Sequence, residues 1–101
     1  MVIKIDGRRW LIKRVKPTNK VLDGDYGACD FTTSTIYISN IIDSNLAKDT
    51  IIHELAHAFL FVEGHVQFEN YSEENVCDFF GSFGLKLINT ANKVFEKWCI
   101  E

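Results

Sequence analysis

Apolar and polar residues alternate over the first forty positions of the chain, and this pattern predicts β-structure. Val2 to Ile5 and Arg9 to Val15 are rich in apolar and β-branched residues, and Asp6-Gly7 between them is a pair typical of hairpin turns. After a loop of turn-forming residues, Tyr26 to Phe31 and Thr35 to Ser39 resemble two further short strands. Together these segments predict a small antiparallel sheet.

Beyond the predicted strands the apolar residues recur at a helical spacing, which predicts two helices. In the first helix, apolar positions recur from Ile51 to Leu60, with Asp43 or Ser44 as the N-cap and Gly64 as the terminator. The second helix begins after Ser72, a natural N-cap. Its predicted apolar stripe consists of Val76, Phe80, Phe83, Leu87 and Ile88. The predicted fold class is therefore α+β, with a small antiparallel sheet packed against both helices.

Length and composition favour a single domain. With 101 residues, of which 47% are hydrophobic, the chain has room for one core, so residues 1–101 are predicted to form one domain. The net charge of -3 lacks the basic excess that phosphate contacts require, so nucleic acid is not expected as a partner. The apolar runs are far shorter than the roughly 20 residues of a membrane span, so no membrane partner is expected.

The cysteines and the first residues of the chain favour a cytoplasmic location. Cys29, Cys77 and Cys99 are odd in number and widely spaced, without a C-x-x-C pair, so a disulfide framework is not expected. Charged residues interrupt the N-terminal segment before an apolar signal stretch can form. The sequence leaves the oligomeric state undetermined.

The first predicted helix carries the H-E-x-x-H motif as His53-Glu54-Leu55-Ala56-His57. Residues four apart on a helix lie about 6 Å apart along its axis and on nearly the same face, so both imidazoles can reach one metal ion. Glu54 would lie beside the remaining coordination position, where it can accept a proton from the attacking water. The motif predicts a Zn²⁺ site with His53 and His57 as ligands and Glu54 as the general base.

A catalytic zinc site requires a third protein ligand from outside this motif. We favour Glu74, because Asp78 follows one turn later and could accept the second ring N–H of a ligand histidine. The small residues Cys77 and Gly81 along this edge would let the two helices approach each other. Acidic residues at the start of a helix are also explained by the helix dipole, without any metal.

These residues resemble the gluzincin metallopeptidases, which bind zinc through the two histidines of H-E-x-x-H and a glutamate on a following helix. More narrowly, Glu74-x-x-Cys77-Asp78-x-Phe80-Gly81 is similar to the E-x-x-A-N-x-F-A stretch of the ImmA/IrrE-type metallopeptidases. Cys77 and Asp78 depart from the usual Ala and Asn. The resemblance implies a minimal zincin-like domain from a phage or mobile element, whose substrate would be a regulatory protein.

A rival resemblance is to the SprT-type proteases, because Gly64-His65 and Phe68 follow the motif. In that case His65 would be the third ligand in place of Glu74. The metzincin spacing is absent, since Leu60 and Glu63 stand where Gly and His would be required.

The sequence therefore predicts a zinc-dependent endopeptidase that acts on a protein or peptide substrate. An extended substrate could pair with the edge of the sheet, and Thr35 to Ser39 is the candidate edge strand. Tyr26, His65 and Tyr71 are the uncharged side chains that could stabilise an oxyanion. The competing function is a non-catalytic zinc-containing protein-binding module, in which Cys29 or Cys77 would close the metal site.

Overall fold

The computed structural model describes residues 1–62 and 72–100 and has the predicted α+β architecture. A short 3-10 turn at Lys20–Leu22 lies between the second and third strands. The strands are β1 Val2–Ile5, β2 Arg8–Val15, β3 Gly27–Asp30 and β4 Thr35–Ser39, and the helices are α1 Ser44–Val62 and α2 Glu73–Ile100. Within the described ranges, neither helix has an apolar stretch long enough to cross a membrane.

The sheet is mixed, so the prediction of a purely antiparallel sheet was wrong. Its strand order is β1-β2-β4-β3, with antiparallel pairing at both outer pairs and parallel pairing between β2 and β4. The chain leaves β2, passes the 3-10 turn, and returns as the β3–β4 hairpin with β4 innermost. Four of the five residues of β4 are buried, as expected for a central strand that lies between two other strands, β2 and β3.

This strand order also corrects the predicted edge strand. β4 pairs with β2 on one side and with β3 on the other, so it has no free edge for a substrate. β3 is the strand that lies at the edge of the sheet on this side. The periodicity of Thr35 to Ser39 does not show whether this strand is central or at the edge, because the strands beside it are set by pairing between segments distant in sequence.

The hairpin between β1 and β2 forms where the sequence predicts it. Asp6 and Gly7 both have positive φ, 50° and 84°, as a type I′ turn requires at its two central positions. Asp6 also forms an ion pair of 3.6 Å with Lys86 of α2. The turn therefore sets the register of the hairpin and lies against the second helix.

One face of the sheet packs against both helices and forms the core. Trp10, Ile36 and Ile38 from the strands are almost fully buried, as are Ile51 and Leu55 of α1. Rings of the two helices stack, with 5.6 Å between the centroids of Phe59 and Phe83. These contacts hold one side of α1 against the core and leave its opposite side exposed.

The buried stripe of α2 differs from the predicted one. The buried residues are Phe79, Phe83, Leu87, Ala91, Val94 and Trp98. Val76, Phe80 and Ile88, which the prediction placed in the stripe, are 41%, 57% and 42% exposed. The first turns of this 28-residue helix have apolar residues on two faces. The buried face is the one whose apolar residues continue as far as the C-terminal turns.

Both predicted N-caps are present. The Asp43 carboxylate accepts the backbone N–H of Leu46 at 2.9 Å, and the Ser72 hydroxyl accepts that of Asn75 at 3.2 Å. The first cap sets where α1 begins, and therefore which of its residues face the core.

Candidate metal centre

Helix α1 places His53 and His57 one turn apart on its exposed side. Their Nε2 atoms lie 3.2 Å apart, and their rings are inclined at 76° with centroids 4.9 Å apart. Two nitrogens bound to one tetrahedral zinc ion at 2.0–2.1 Å would be separated by about 3.3 Å. The observed separation therefore suits chelation of a single ion, although it also suits an N–H···N hydrogen bond between the rings.

Glu54 completes a group of three ligand-type side chains. One ligand atom from each of His53, Glu54 and His57 lies within 4.8 Å of the others. Unlike the two histidines, Glu54 is buried and only 5% exposed. Among the described residues, these three side chains form an arrangement that could hold a metal ion.

The environment of Glu54 raises its pKa above the ordinary value for a glutamate. Burial is the main cause, because it disfavours the charged carboxylate, and the negative charge of Asp25 acts in the same direction. The neighbouring His53 opposes both effects. A carboxylate whose pKa is shifted towards neutral pH is better suited to accept and return a proton.

The environment of His57 lowers its pKa. Burial is again the larger cause, and the proximity of His53 adds to it because two adjacent imidazolium ions would repel each other. His57 is therefore neutral at pH 7. The neutral imidazole is the form that donates a nitrogen lone pair to a metal.

Gly27 of β3 allows the sheet to approach α1 at Glu54. A Cβ atom at this position would lie 2.8 Å from Cγ of Glu54 and 2.8 Å from Cγ2 of Thr50. Both distances are well inside van der Waals contact. Glycine is therefore required here for a close approach of backbone to side chain, not for an unusual backbone conformation.

We expect Gly27→Ala to destabilise the protein by about 1–3 kcal/mol, because the added methyl group must displace Glu54 or Thr50. Urea unfolding monitored by circular dichroism measures the change. Gly81→Ala is the matched control: the new Cβ of this exposed helical residue meets nothing within 4 Å, so it should stabilise by about 0.5–1 kcal/mol.

A second substitution tests the cause of the Gly27→Ala effect. Thr50→Ser removes Cγ2 but keeps the hydroxyl that donates a 2.7 Å hydrogen bond to the Leu46 carbonyl. It should recover part of the stability lost in Gly27→Ala. Equal stability of Gly27→Ala and wild type would show that β3 does not pack tightly against α1.

The three side chains line one wall of an open cleft with a volume of about 520 Å³. On α1 the lining residues are Asp49, Thr50, His53, Glu54 and His57. The opposite wall consists of Leu22 and the segment Asp25–Ala28, which leads into β3. Tyr26, the predicted oxyanion donor in this part of the chain, lies on this wall and is 53% exposed.

Asp49 on α1 and most of the second wall were not identified from the sequence. Asp49 could have been found, because it precedes His53 by four residues and therefore lies on the same helix face. Asp25, Gly27 and Ala28 are far from the motif in sequence, and only the packing of β3 against α1 brings them to the cleft. No local pattern indicates that contact.

The structure does not bring the proposed third ligand into the group. Glu74 and Asp78 lie on the first two turns of α2, are exposed, and do not belong to the converging set of described residues. His65, Tyr71 and Gly64, the last predicted as the terminator of the first helix, lie outside the described residues. The choice between Glu74 and His65 therefore stays a prediction.

The group of described side chains that could hold a metal ion contains no cysteine. Burial raises the pKa of the Cys29 thiol to about 12, with further contributions from the charges of Glu54 and Asp30. Cys29 is therefore a neutral thiol packed beside the core. Cys77 is exposed on α2.

No family model matches the chain, and no curated protein or solved structure matches it either. The functional argument therefore depends on the geometry of the cleft.

Proposed function

We propose that this protein is a zinc-dependent endopeptidase that uses Glu54 as its general base. The observation that supports the proposal most strongly is the geometry of α1: two histidine nitrogens 3.2 Å apart with a buried carboxylate beside them. A purely structural histidine pair does not require a buried glutamate with a raised pKa between its members. The open cleft in front of the group gives a substrate access.

The residues fit a metal-assisted hydrolysis. A bound Zn²⁺ supplies Lewis acidity, polarising the scissile carbonyl and lowering the pKa of water to about 7. His53 and His57 hold the ion as neutral ligands. Glu54 accepts the proton of the attacking water and then donates it to the leaving amine, so that it is regenerated as a carboxylate.

The edge strand β3 supports a peptide as the substrate. Gly27 and Ala28 line the cleft and belong to a strand whose partner among the described residues lies on its β4 side alone. The Tyr26 carbonyl accepts the N–H of Ser39 in β4, so the next residue, Gly27, has its backbone N–H and C=O directed away from β4. These groups of Gly27 can pair with an extended chain, as in other cases of strand addition. A peptide bound in this way would run past Glu54 and the histidine pair.

Glu74 is our proposed third ligand, with His65 as the alternative. Glu74 would fit the ImmA/IrrE-type arrangement, in which Asp78 supports a ligand histidine, and His65 would fit the SprT-type arrangement. Among the described acidic residues near the start of α2, Glu74 has the position that the glutamate-helix pattern requires. Binding through Glu74 would require the start of α2 to move towards the histidine pair, because Glu74 does not belong to the converging group in this structure.

Metal analysis of purified variants tests the proposal and the third ligand together. We expect one zinc ion per chain in the wild type, loss of that zinc in Glu74→Ala, and retention in His65→Ala. Glu73→Ala is the matched control, because this neighbouring residue of α2 is equally exposed. Elemental analysis after dialysis against a weak chelator gives the stoichiometry.

The same samples decide between the alternatives. Zinc retained in Glu74→Ala but lost in His65→Ala would favour the SprT-type arrangement. Zinc bound without cleavage of an unfolded protein substrate would favour the non-catalytic binding module. A chain that binds no zinc at micromolar concentrations would overturn the proposed function.

A further inference from the structure

Both walls of the cleft carry an aspartate outside the metal-binding group. Asp49 lies on α1 one turn before His53, about 6 Å along the helix axis. Asp25 lies on the opposite wall, at the start of the segment that leads into β3. The residues lining the cleft include no lysine or arginine. The two carboxylates therefore face a space to which the described part of the protein contributes no cation.

Neither aspartate is neutralised within the described part of the chain. An ion pair in this part of the chain joins Lys86 to Asp6, and neither residue lines the cleft. Lys48, the neighbour of Asp49 in sequence, is instead placed over the ring of Phe95, with 5.4 Å between its Nζ and the ring centroid.

Glu54 is an indication, separate from the two aspartates, that this cleft binds a ligand. Its side chain is 95% buried, lines the cleft, and takes part in none of the hydrogen bonds found among the described residues. With Glu54 ionised, the three carboxylates Asp25, Asp49 and Glu54 give the cleft a charge of -3. A divalent cation on the histidine pair reduces this only to -1.

We propose that the cleft selects peptides that carry a lysine or arginine beside the scissile bond, with Asp25 and Asp49 as the groups that recognise the cationic side chain. The inference rests on the proposed function, because it takes the histidine pair as the point where the scissile bond lies. A substrate paired with β3 would lie along the cleft that Asp25 and Asp49 line. A long cationic side chain can reach either carboxylate, whereas an acidic side chain would be repelled by both.

Peptide binding to a zinc-loaded Glu54→Gln chain tests this preference without turnover. Three blocked alanine heptapeptides, with lysine, norleucine or glutamate at the central position and a terminal fluorophore, are compared by fluorescence anisotropy. We expect the lysine peptide to bind about five- to twentyfold more tightly than the norleucine peptide at low salt. The glutamate peptide should bind most weakly, and the differences should shrink as salt screens the charges.

Charge-removing variants assign the preference to these two residues. The Asp25→Asn/Asp49→Asn double variant, made in the Glu54→Gln chain, should bind the lysine and norleucine peptides equally. Asp23→Asn is the matched control, since this exposed aspartate does not line the cleft and its φ of 49° is one that asparagine tolerates. It should keep the full preference for lysine.

Zinc content measured on the same samples separates the two proposals. Zinc missing from the wild type as well as from the Glu54→Gln chain would overturn the proposed function. One zinc per chain with equal binding of the lysine and norleucine peptides, or without detectable binding of any peptide, would overturn this inference alone. A second zinc that disappears in the double variant would also overturn it, because the aspartates would then serve a metal.

Discussion

Glu54→Gln is expected to lower kcat for peptide hydrolysis by about 10²- to 10⁴-fold and to leave one zinc ion bound per chain. The amide keeps the shape of the side chain but cannot accept the proton of the attacking water. The histidine pair, which lies at the exposed surface of α1, remains unchanged. Zinc content and the rate of cleavage of an unfolded protein measure the two effects separately.

The same substitution has an expected effect on stability. The folded-state pKa of Glu54 is raised, so its contribution to stability is complete below the ordinary glutamate pKa near 4.5 and is lost as the pH rises through the raised value. At pH 7 the unfolded chain releases this proton more readily than the folded protein does, so Glu54 stabilises the metal-free protein less than it does at pH 4. Glu54→Gln should raise the free energy of unfolding at pH 7, and by more than it does at pH 4.

Glu96→Gln is the matched control, because this exposed glutamate of α2 undergoes the same chemical change away from the cleft. It should alter neither the rate nor the stability. Loss of zinc from Glu54→Gln would mean that Glu54 is a metal ligand, not a base. Activity retained above a tenth of wild type would exclude the general-base role.

Replacement of either histidine by alanine is expected to lower zinc affinity by at least about 10²-fold. Loss of groups that only support a metal ligand typically costs 10- to 100-fold, and His53 and His57 are proposed to contact the ion directly. A single remaining histidine cannot form the chelate that the 3.2 Å separation of the two Nε2 atoms permits. Competition with a chromophoric chelator gives the affinities, and Asn45→Ala, an exposed change at the start of α1, is the control.

The pH dependence of zinc binding should reflect the state of the histidines. Protons compete with zinc for the imidazole nitrogens, so affinity should fall with decreasing pH. The lowered pKa of His57 keeps this residue neutral to a lower pH than an ordinary histidine near 6.5. Its contribution to stability is complete above about pH 6.5 and is lost as the pH falls through the lowered value. A zinc affinity independent of pH between 5 and 8 would exclude imidazole ligation.

Much of the fold could be predicted from the sequence because its determinants are local. The Asp6-Gly7 turn requires residues that adopt positive φ at two successive positions. The caps at Asp43 and Ser72 require side-chain acceptors at the helix starts. The placement of His53 and His57 on one face of α1 follows from the helical repeat alone. These features depend on residues no more than four positions apart, so the chain need not be folded for them to be recognised.

The predictions that were wrong concern choices between elements. An antiparallel sheet with β4 at its edge and the observed mixed sheet with β3 at its edge use the same strands. The apolar stripe of α2 was misplaced because two faces of that helix are apolar near its start. In both cases the periodicity of one segment is compatible with more than one packing partner. Burial against the rest of the protein determines which of these partners the segment contacts.

By itself, then, the sequence determined the α+β class, the helix that carries His53, Glu54 and His57, and the chemistry that those three side chains can perform. Only the tertiary structure decided which strand faces them. The pairing of β3 with β4 brings Gly27 against Glu54 and places Asp25 across the cleft from Asp49. These residues are more than twenty positions apart, and their contact depends on strand order and helix packing, which no local repeat encodes.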